Sequence, residues 1–246
     1  MAKKAYLSVL PLSTISDRMK TENPWWISGT INSTIDNLKR RKFFNPFISL
    51  VENISIKRAV VLMGPRRVGK SVLMQHAVKY LLNKDIERKK ICFLSIDNPI
   101  YNNIGLYDLF KIARESVVDD NPDGWFVFFD EIQYLNNWET HLKSLVDEYP
   151  NTKFIVSGSA AAALKRASLE SGAGRMTDFM LPPLTFYEYI YLKDLEHLMV
   201  KYPIEWKNII SEFYSTINHT ELNNHFIDYI NYGGYPEVIF SETIKA

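Results

Sequence analysis

The sequence has a single cysteine, no apolar run near the ~20 residues that span a membrane, and almost no net charge. Cys92 lies in the apolar run "ICFLSI" and has no partner for an internal disulfide, which favours a buried thiol in a reducing compartment. The net charge of +1 provides no general attraction to nucleic acid or anionic membranes. The five histidines show no metal-binding spacing, so no zinc site is predicted. These absences favour a cytoplasmic globular protein.

The sequence divides by its pattern into three segments. Residues 1–45 lack a sustained period and are predicted to form an N-terminal arm with one or two short helices. Residues 46–184 alternate short apolar runs with helical segments, as in a parallel sheet covered by helices on both faces. Residues 185–246 are rich in aromatic residues and are predicted to form a helical C-terminal extension. The predicted fold class is therefore α/β with a helical extension.

A glycine-containing loop joins the apolar run 59–63 to the helical pattern 70–82. Such a loop presents consecutive backbone N–H groups to an anion, and the following helix adds the positive end of its dipole. Glycine permits backbone angles and a close approach that a side chain would obstruct. The pattern G-x-x-x-x-G-K-S predicts a nucleoside triphosphate site. Its predicted binding residues are Gly64, Pro65, Arg66, Arg67, Val68, Gly69, Lys70, Ser71 and Val72.

Two adjacent acids follow the apolar run in "WFVFFDEIQ". Ligands of an open parallel sheet bind outside the carboxyl ends of its strands, so these acids are expected near the phosphates. Asp130, together with the Ser71 hydroxyl, is predicted to hold Mg²⁺, while Lys70 contacts the β- and γ-phosphates. Glu131 is predicted to orient and polarise the water that attacks the γ-phosphorus. Without the glycine loop upstream, the alternative for the acidic pair would be a helix N-cap.

Two serines end another predicted strand, in "KFIVSGS". Ser157 or Ser159 could hydrogen-bond the attacking water or the γ-phosphate and so act as a sensor of nucleotide state. The equally weighted alternative is a turn built from small residues. Both interpretations stay open at the level of the sequence.

Five blocks of the sequence resemble the AAA_14 family of AAA-like ATPases from archaea and bacteria, which commonly carry a DUF4143-type C-terminal region. The blocks are "MGPRRVGKS", "FFDEIQYLNNWETHLKSLVDE", "FIVSGSAAAALKRASLESGAGR", "LPPLTFYEY" and "GGYPEV", and together they cover roughly residues 40–240. The resemblance implies a P-loop NTPase sheet of the ASCE type, in which an extra strand separates the loop-bearing strand from the acid-bearing strand. It implies ATP and Mg²⁺ as cofactors, with Lys70, Ser71, Asp130 and Glu131 in the roles described above.

The same resemblance makes Arg175, in "GAGR", a candidate to meet the γ-phosphate within its own subunit or across a subunit interface. A lone arginine after glycines is otherwise a solvated loop residue. The sequence ends ten residues after Pro236, where the family usually continues into a substantial region. The chain is therefore either a shortened form or a short member, and no activity of that region is carried over.

The first functional hypothesis is an Mg²⁺-dependent ATPase that couples its nucleotide state to the C-terminal part, a protein partner or a second copy of the chain. The second is a nucleotide-gated binding module for protein or DNA that hydrolyses little ATP; the intact Glu131 argues against it. A small-molecule kinase is weaker, because no arginine-rich lid is visible. Contacts of Lys39–Lys42 with nucleic acid are less favoured than a solvated face. Trp25 and Trp26 are expected to pack the arm onto the core.

Overall fold

The computed structural model describes residues 11–158, 174–206 and 209–241. The chain divides into two compact units. The first consists of Met1–Gly64 and Lys70–Leu181, and the second of Pro65–Gly69 and Pro182–Ala246.

Five parallel strands form the sheet of the first unit: β1 (Ala59–Met63), β2 (Ile91–Ser95), β3 (Phe126–Asp130), β4 (Lys153–Gly158) and β5 (Met176–Met180). Their order across the sheet is β2-β3-β4-β1-β5. Every residue of β1, β3 and β4 is buried, as expected for strands covered on both faces. Strand β4 separates β1, which precedes the glycine loop, from β3, which carries the acids. The α/β fold and the extra strand are thereby confirmed.

Seven helices of the described chain accompany this sheet: α1 (Leu12–Glu22), α2 (Trp25–Ser28), α3 (Ser33–Asp36), α4 (Phe44–Glu52), α5 (Lys70–Leu82), α6 (Leu106–Ser116) and α7 (Trp138–Glu148). Helix α7 buries an apolar stripe that contains Leu142, Leu145 and Val146, the residues that the sequence pattern places on one face. The N-terminal arm contains more helix than the one or two short segments expected. Helix α4 crosses the predicted boundary at residue 45.

The N-terminal arm covers the open edge of β2. Asn23 is fully buried, and its side-chain amide pairs with the backbone of Phe93: Nδ2 donates to the carbonyl (2.9 Å), and Oδ1 accepts from the N–H (2.6 Å). The indole N–H groups of Trp25 and Trp26 both donate to the carbonyl of Ile91, at 2.8 and 2.7 Å. Side chains therefore satisfy backbone groups that a neighbouring strand would otherwise pair. The expected packing of the two tryptophans onto the core is observed.

The second unit contains α8 (Phe186–Leu192), β6 (Val200–Trp206), β7 (Ile209–Ser215), α9 (His219–Tyr232) and α10 (Pro236–Ile239). Helix α8 begins with a capping box, in which Thr185 and Glu188 bind each other's backbone N–H groups. Helices are present as predicted, but β6 and β7 form an antiparallel ladder that the sequence reading missed. Pro203 lies within this ladder, where a two-stranded sheet tolerates it and a helix interior would not.

None of the helices in the described residues is both long enough and apolar enough to cross a membrane.

We expect Asn23→Ala to lower the free energy of unfolding by about 2–4 kcal/mol, because it leaves the buried N–H and carbonyl of Phe93 unpaired. Urea denaturation followed by circular dichroism measures this loss. Asn45→Ala, at an exposed position of α4, is the matched control and should change stability by less than about 0.5 kcal/mol. Equal stability of the two variants would contradict the role given to Asn23.

Candidate active site

Two residues of the loop after β1 have a left-handed backbone conformation. Arg67 has a φ of 67° and Gly69 a φ of 91°. A Cβ added at Gly69 would lie 3.9 Å from Cγ of Pro236, which is an ordinary contact. The backbone angle, and not crowding, therefore requires glycine at position 69. Val68 between them is fully buried and anchors the loop.

Lys70 is the first residue of α5, and its side chain turns back toward the start of the loop. Its Nζ donates to the carbonyl of Gly64 at 3.1 Å, and the residue is only 4% exposed. A buried ammonium is costly unless it is paired or hydrogen-bonded, and the bond to Gly64 meets part of this need. The phosphate contact of Lys70 stays a prediction.

Asp130 ends β3 and is almost completely buried. Burial raises the pKa of its carboxyl group, while hydrogen bonds from Ser157 and Ser71 act in the opposite direction. Ser71 therefore lies close to Asp130, although the two residues are about sixty positions apart in the sequence. Their predicted role as ligands of Mg²⁺ stays a prediction.

Ser157 links the two adjacent acids. Its hydroxyl donates to Oδ1 of Asp130, and its Oγ accepts from the backbone N–H of Glu131 at 3.3 Å. Because β4 lies between β1 and β3, Ser157 reaches this position directly from the strand. The sequence placed Ser157 near the phosphates as a sensor or in a turn, whereas in the structure it also supports both acids. Ser159, the other serine named from the sequence, lies outside the described residues.

Glu131 has a left-handed backbone, with φ 54° and ψ 46°, which is uncommon for a residue other than glycine. Its carboxylate accepts a hydrogen bond from Nε2 of Gln133. Sequence reasoning did not identify Gln133. The only signal was its place two residues after the acid in "DEIQ", since nothing in the local pattern shows where its side chain points.

Within the first unit, Arg175 does not lie near Lys70, Asp130 or Glu131. It precedes β5, at the amino end of the sheet, where its carbonyl accepts from the backbone N–H of Ala59 at 2.8 Å. Its Nε pairs with Oδ1 of Asp147 at 2.9 Å, and both side chains are more than 40% exposed. Strand β1 runs from this end toward Gly64, which together with Lys70 lies at the opposite end of the sheet. A contact of Arg175 with a phosphate in its own first unit is therefore not supported, and a role across a subunit interface stays a prediction.

Ser71 and Asp130 present the oxygen ligands that Mg²⁺ prefers. Within the described residues, no group of three or more His, Cys, Asp or Glu side chains is arranged to hold a metal ion. A site of one hydroxyl and one carboxylate fits magnesium, which usually keeps several waters and shares nucleotide phosphates. Magnesium and a nucleotide at these two residues stay a prediction.

The family model for AAA_14, described as an AAA domain, matches residues 56–190, which is more than half of the chain. The match ends before most of the C-terminal segment, so the resemblance of that segment to a DUF4143-type region stays a prediction. The matched span includes the glycine loop, both acids and Ser157.

Relatives and solved structures are similar to the chain at low identity. An uncharacterized protein of Methanocaldococcus jannaschii is 27% identical over 216 residues, covering 86% of this chain and 44% of that protein. An uncharacterized protein of Haemophilus influenzae is 23% identical over 205 residues, covering 83% and 45%. The chain thus spans less than half the length of these relatives. The structure of Cdc6p from Pyrobaculum aerophilum is 9% identical, with a TM-score of 0.45 over 66% of this chain and 52% of that chain.

We expect Asp130→Asn to raise the thermal stability of the nucleotide-free protein at pH 7, because it removes the cost of a buried carboxylate charge. As the pH falls through the raised pKa of Asp130 toward the ordinary value of 3.8, the wild-type carboxyl gains a proton. The stability difference between the two proteins should then shrink.

Thermal unfolding in EDTA at a series of pH values measures this difference. Asp147→Asn, at an exposed acid of α7, is the control and should change stability by less than about 0.5 kcal/mol at any of these values. An Asp130→Asn protein that melts below the wild type at pH 7 would contradict the argument.

Proposed function

Because the chain belongs to the AAA_14 family of AAA domains, we propose that it is an Mg²⁺-dependent ATPase that binds ATP on residues 64–72 and hydrolyses it with Glu131 as the water-activating base. The observation that carries the proposal is that Ser71 lies close to the buried carboxyl group of Asp130. The last residue of the phosphate-binding motif and the first residue of the acidic pair are therefore neighbours in the first unit. A glycine loop that only turned the chain would have no need of a buried carboxylate beside it.

The polyphosphate is bound by backbone N–H groups of the loop and by Lys70. The left-handed angle at Gly69 suits a loop that turns its N–H groups toward one point. The amino end of α5 adds a favourable field for negative charge. The Lys70 ammonium, which contacts the carbonyl of Gly64, would exchange that bond for phosphate oxygens at the β- and γ-positions.

Ser71 and Asp130 would hold the magnesium ion. When bound, the ion neutralises charge that develops on the phosphate oxygens. Ser157 donates to Oδ1 of Asp130 and so limits the directions in which that carboxylate can turn. The protein thereby positions its one acidic ligand before any nucleotide arrives.

Glu131 is the base that acts on the attacking water. Its carboxylate accepts a hydrogen bond from the water and takes its proton as the oxygen bonds to the γ-phosphorus. The bond from the γ-phosphorus to the bridging oxygen breaks in the same displacement, and ADP leaves with that oxygen. The backbone N–H of Glu131 is tied to Ser157, so the base is held relative to the residue that supports Asp130.

Nucleotide state is coupled to the C-terminal segment through the loop itself. In the second unit, Nε of Arg67 lies 3.3 Å from Oε2 of Glu237, and Gly69 approaches Pro236. A phosphate bound on the loop would change the charge around Arg67 and therefore this ion pair. The altered ion pair would change how the C-terminal segment is held, and through it the binding of a protein partner or of a second copy of the chain. The net charge of +1 gives no support to a nucleic-acid partner.

Lys70→Ala should weaken ATP binding at least about tenfold, because it removes the buried ammonium that would contact the phosphates. Fluorescence titration with a labelled ATP analogue measures the dissociation constant. Lys111→Ala, an exposed lysine of α6 that pairs with Glu115, is the control and should bind ATP like the wild type. Normal binding by Lys70→Ala would remove the phosphate site.

Glu131→Gln should lower the turnover of ATP by roughly 10²–10⁴-fold while ATP binding is retained, because the amide cannot accept the proton of the water. Phosphate release at saturating ATP and Mg²⁺ provides the measurement. Glu115→Gln makes the same chemical change at an exposed site of α6 and should leave turnover unchanged. Binding of ATP without any Glu131-dependent turnover would instead identify a nucleotide-gated binding module.

A further inference from the structure

We infer that Gln133 is a positioning residue for Glu131: its side-chain amide holds one carboxylate oxygen, so that the other faces the attacking water. This inference rests on the proposed ATPase function and adds a residue to its machinery. The direct observation is the hydrogen bond from Nε2 of Gln133 to Oε2 of Glu131.

The backbone between the two residues is fixed by its own hydrogen bonds. Residues Ile132–Tyr134 form a 3₁₀ turn, in which the N–H of Tyr134 donates to the carbonyl of Glu131 at 3.2 Å. The N–H of Leu135 donates to the carbonyl of Ile132 at 3.0 Å. Ile132 is fully buried and anchors the turn in the core. Gln133 is therefore held at a defined place relative to Glu131.

The base is consequently held at three points. Its backbone N–H donates to Ser157, its carbonyl accepts from Tyr134, and its Oε2 accepts from Gln133. A carboxylate has two oxygens, and an amide donor on one of them leaves the other available for a water molecule. A base whose geometry is set before the reaction needs little reorganisation during it.

Glutamine suits this task because it remains neutral over the whole physiological pH range. Its N–H groups stabilise the carboxylate, yet it neither adds a charge beside Asp130 nor competes with Glu131 for the proton. The left-handed backbone of Glu131 has an energetic cost, and such strain persists only where surrounding contacts maintain it. The bond to Gln133 is one of those contacts.

Gln133→Met is the test, because methionine is also unbranched and of similar length but has no N–H donor. We expect the kcat for ATP hydrolysis to fall roughly 10- to 100-fold, as for the loss of a hydrogen bond to a charged group. The KM for ATP and the melting temperature should stay at wild-type values. Gln75→Met, at the only other glutamine of the sequence, should behave like the wild type.

The double variant Glu131→Gln/Gln133→Met shows whether Gln133 affects the rate of ATP hydrolysis through Glu131 or independently of it. Single-turnover measurements should give the same rate for the double variant as for Glu131→Gln alone. If Gln133→Met lowered the rate by the same factor in the Glu131→Gln protein as in the wild type, the inference would be overturned. A raised KM together with a lowered melting temperature in Gln133→Met would also overturn it, because that result indicates a structural role. A wild-type kcat in Gln133→Met, with Glu131→Gln still inactive, would overturn the inference and leave the ATPase function standing. Full activity of Glu131→Gln would overturn the proposed function itself.

Discussion

The parallel pairing of β4 between β1 and β3 is the constraint on which the candidate active site depends. Leu62 lies opposite Ser157 on one side of β4, and Phe129 lies opposite Val156 on the other. Ser157 can therefore reach Asp130 from the neighbouring strand. Because side chains alternate between the faces of a sheet, a slip of β4 by one residue would turn Ser157 away and break its bonds to both acids. The burial of the apolar residues of β4 fixes its register and thereby the position of Ser157 relative to Asp130 and Glu131.

This geometry has an energetic cost that the rest of the first unit must offset. Asp130 is held in a buried place that raises the pKa of its carboxyl group, and Glu131 has a left-handed backbone. Neither feature favours folding. The apolar strands and helices around them supply the stability, and the N-terminal arm contributes by satisfying the open edge of β2 through Asn23. Different residues of the first unit therefore stabilise the fold and form the candidate active site.

Most helices and strands of the first unit could be predicted from the sequence, because each is encoded by the spacing of apolar residues within its own segment. The helix expected over residues 70–82 is observed with those bounds, and the buried face of α7 follows the same helical period. Strand β5 is harder to recognise in the sequence, because it lies at an edge of the sheet and carries Thr177 and Asp178 among partly exposed positions. Edge strands need not be apolar, so hydrophobicity marks their bounds poorly.

The contacts that the sequence did not predict all depend on where a side chain points in three dimensions. Asn23 pairs with Phe93, seventy residues away, and no spacing rule connects them. Gln133 is close to Glu131 in the sequence, but only the 3₁₀ turn aims its amide at the carboxylate. The positions of Lys70 at the start of α5 and of Asp130 at the end of β3 could be predicted because a recurrent motif fixes the local backbone around each of them. Supporting residues carry no such motif.

The ion pair between Arg67 and Glu237 has the properties that a nucleotide-dependent contact needs. Both side chains are largely exposed, at 70% and 49%, and such pairs contribute only ~0.2–1 kcal/mol. A stronger, buried pair would hold the loop and the C-terminal segment together whatever the loop had bound. In the proposed function, a phosphate group would bring more than one negative charge close to the loop and would compete with Glu237 for the guanidinium. Because the pair is weak, ligand binding would then decide whether it forms, which is the condition for the proposed coupling of nucleotide state to the rest of the second unit.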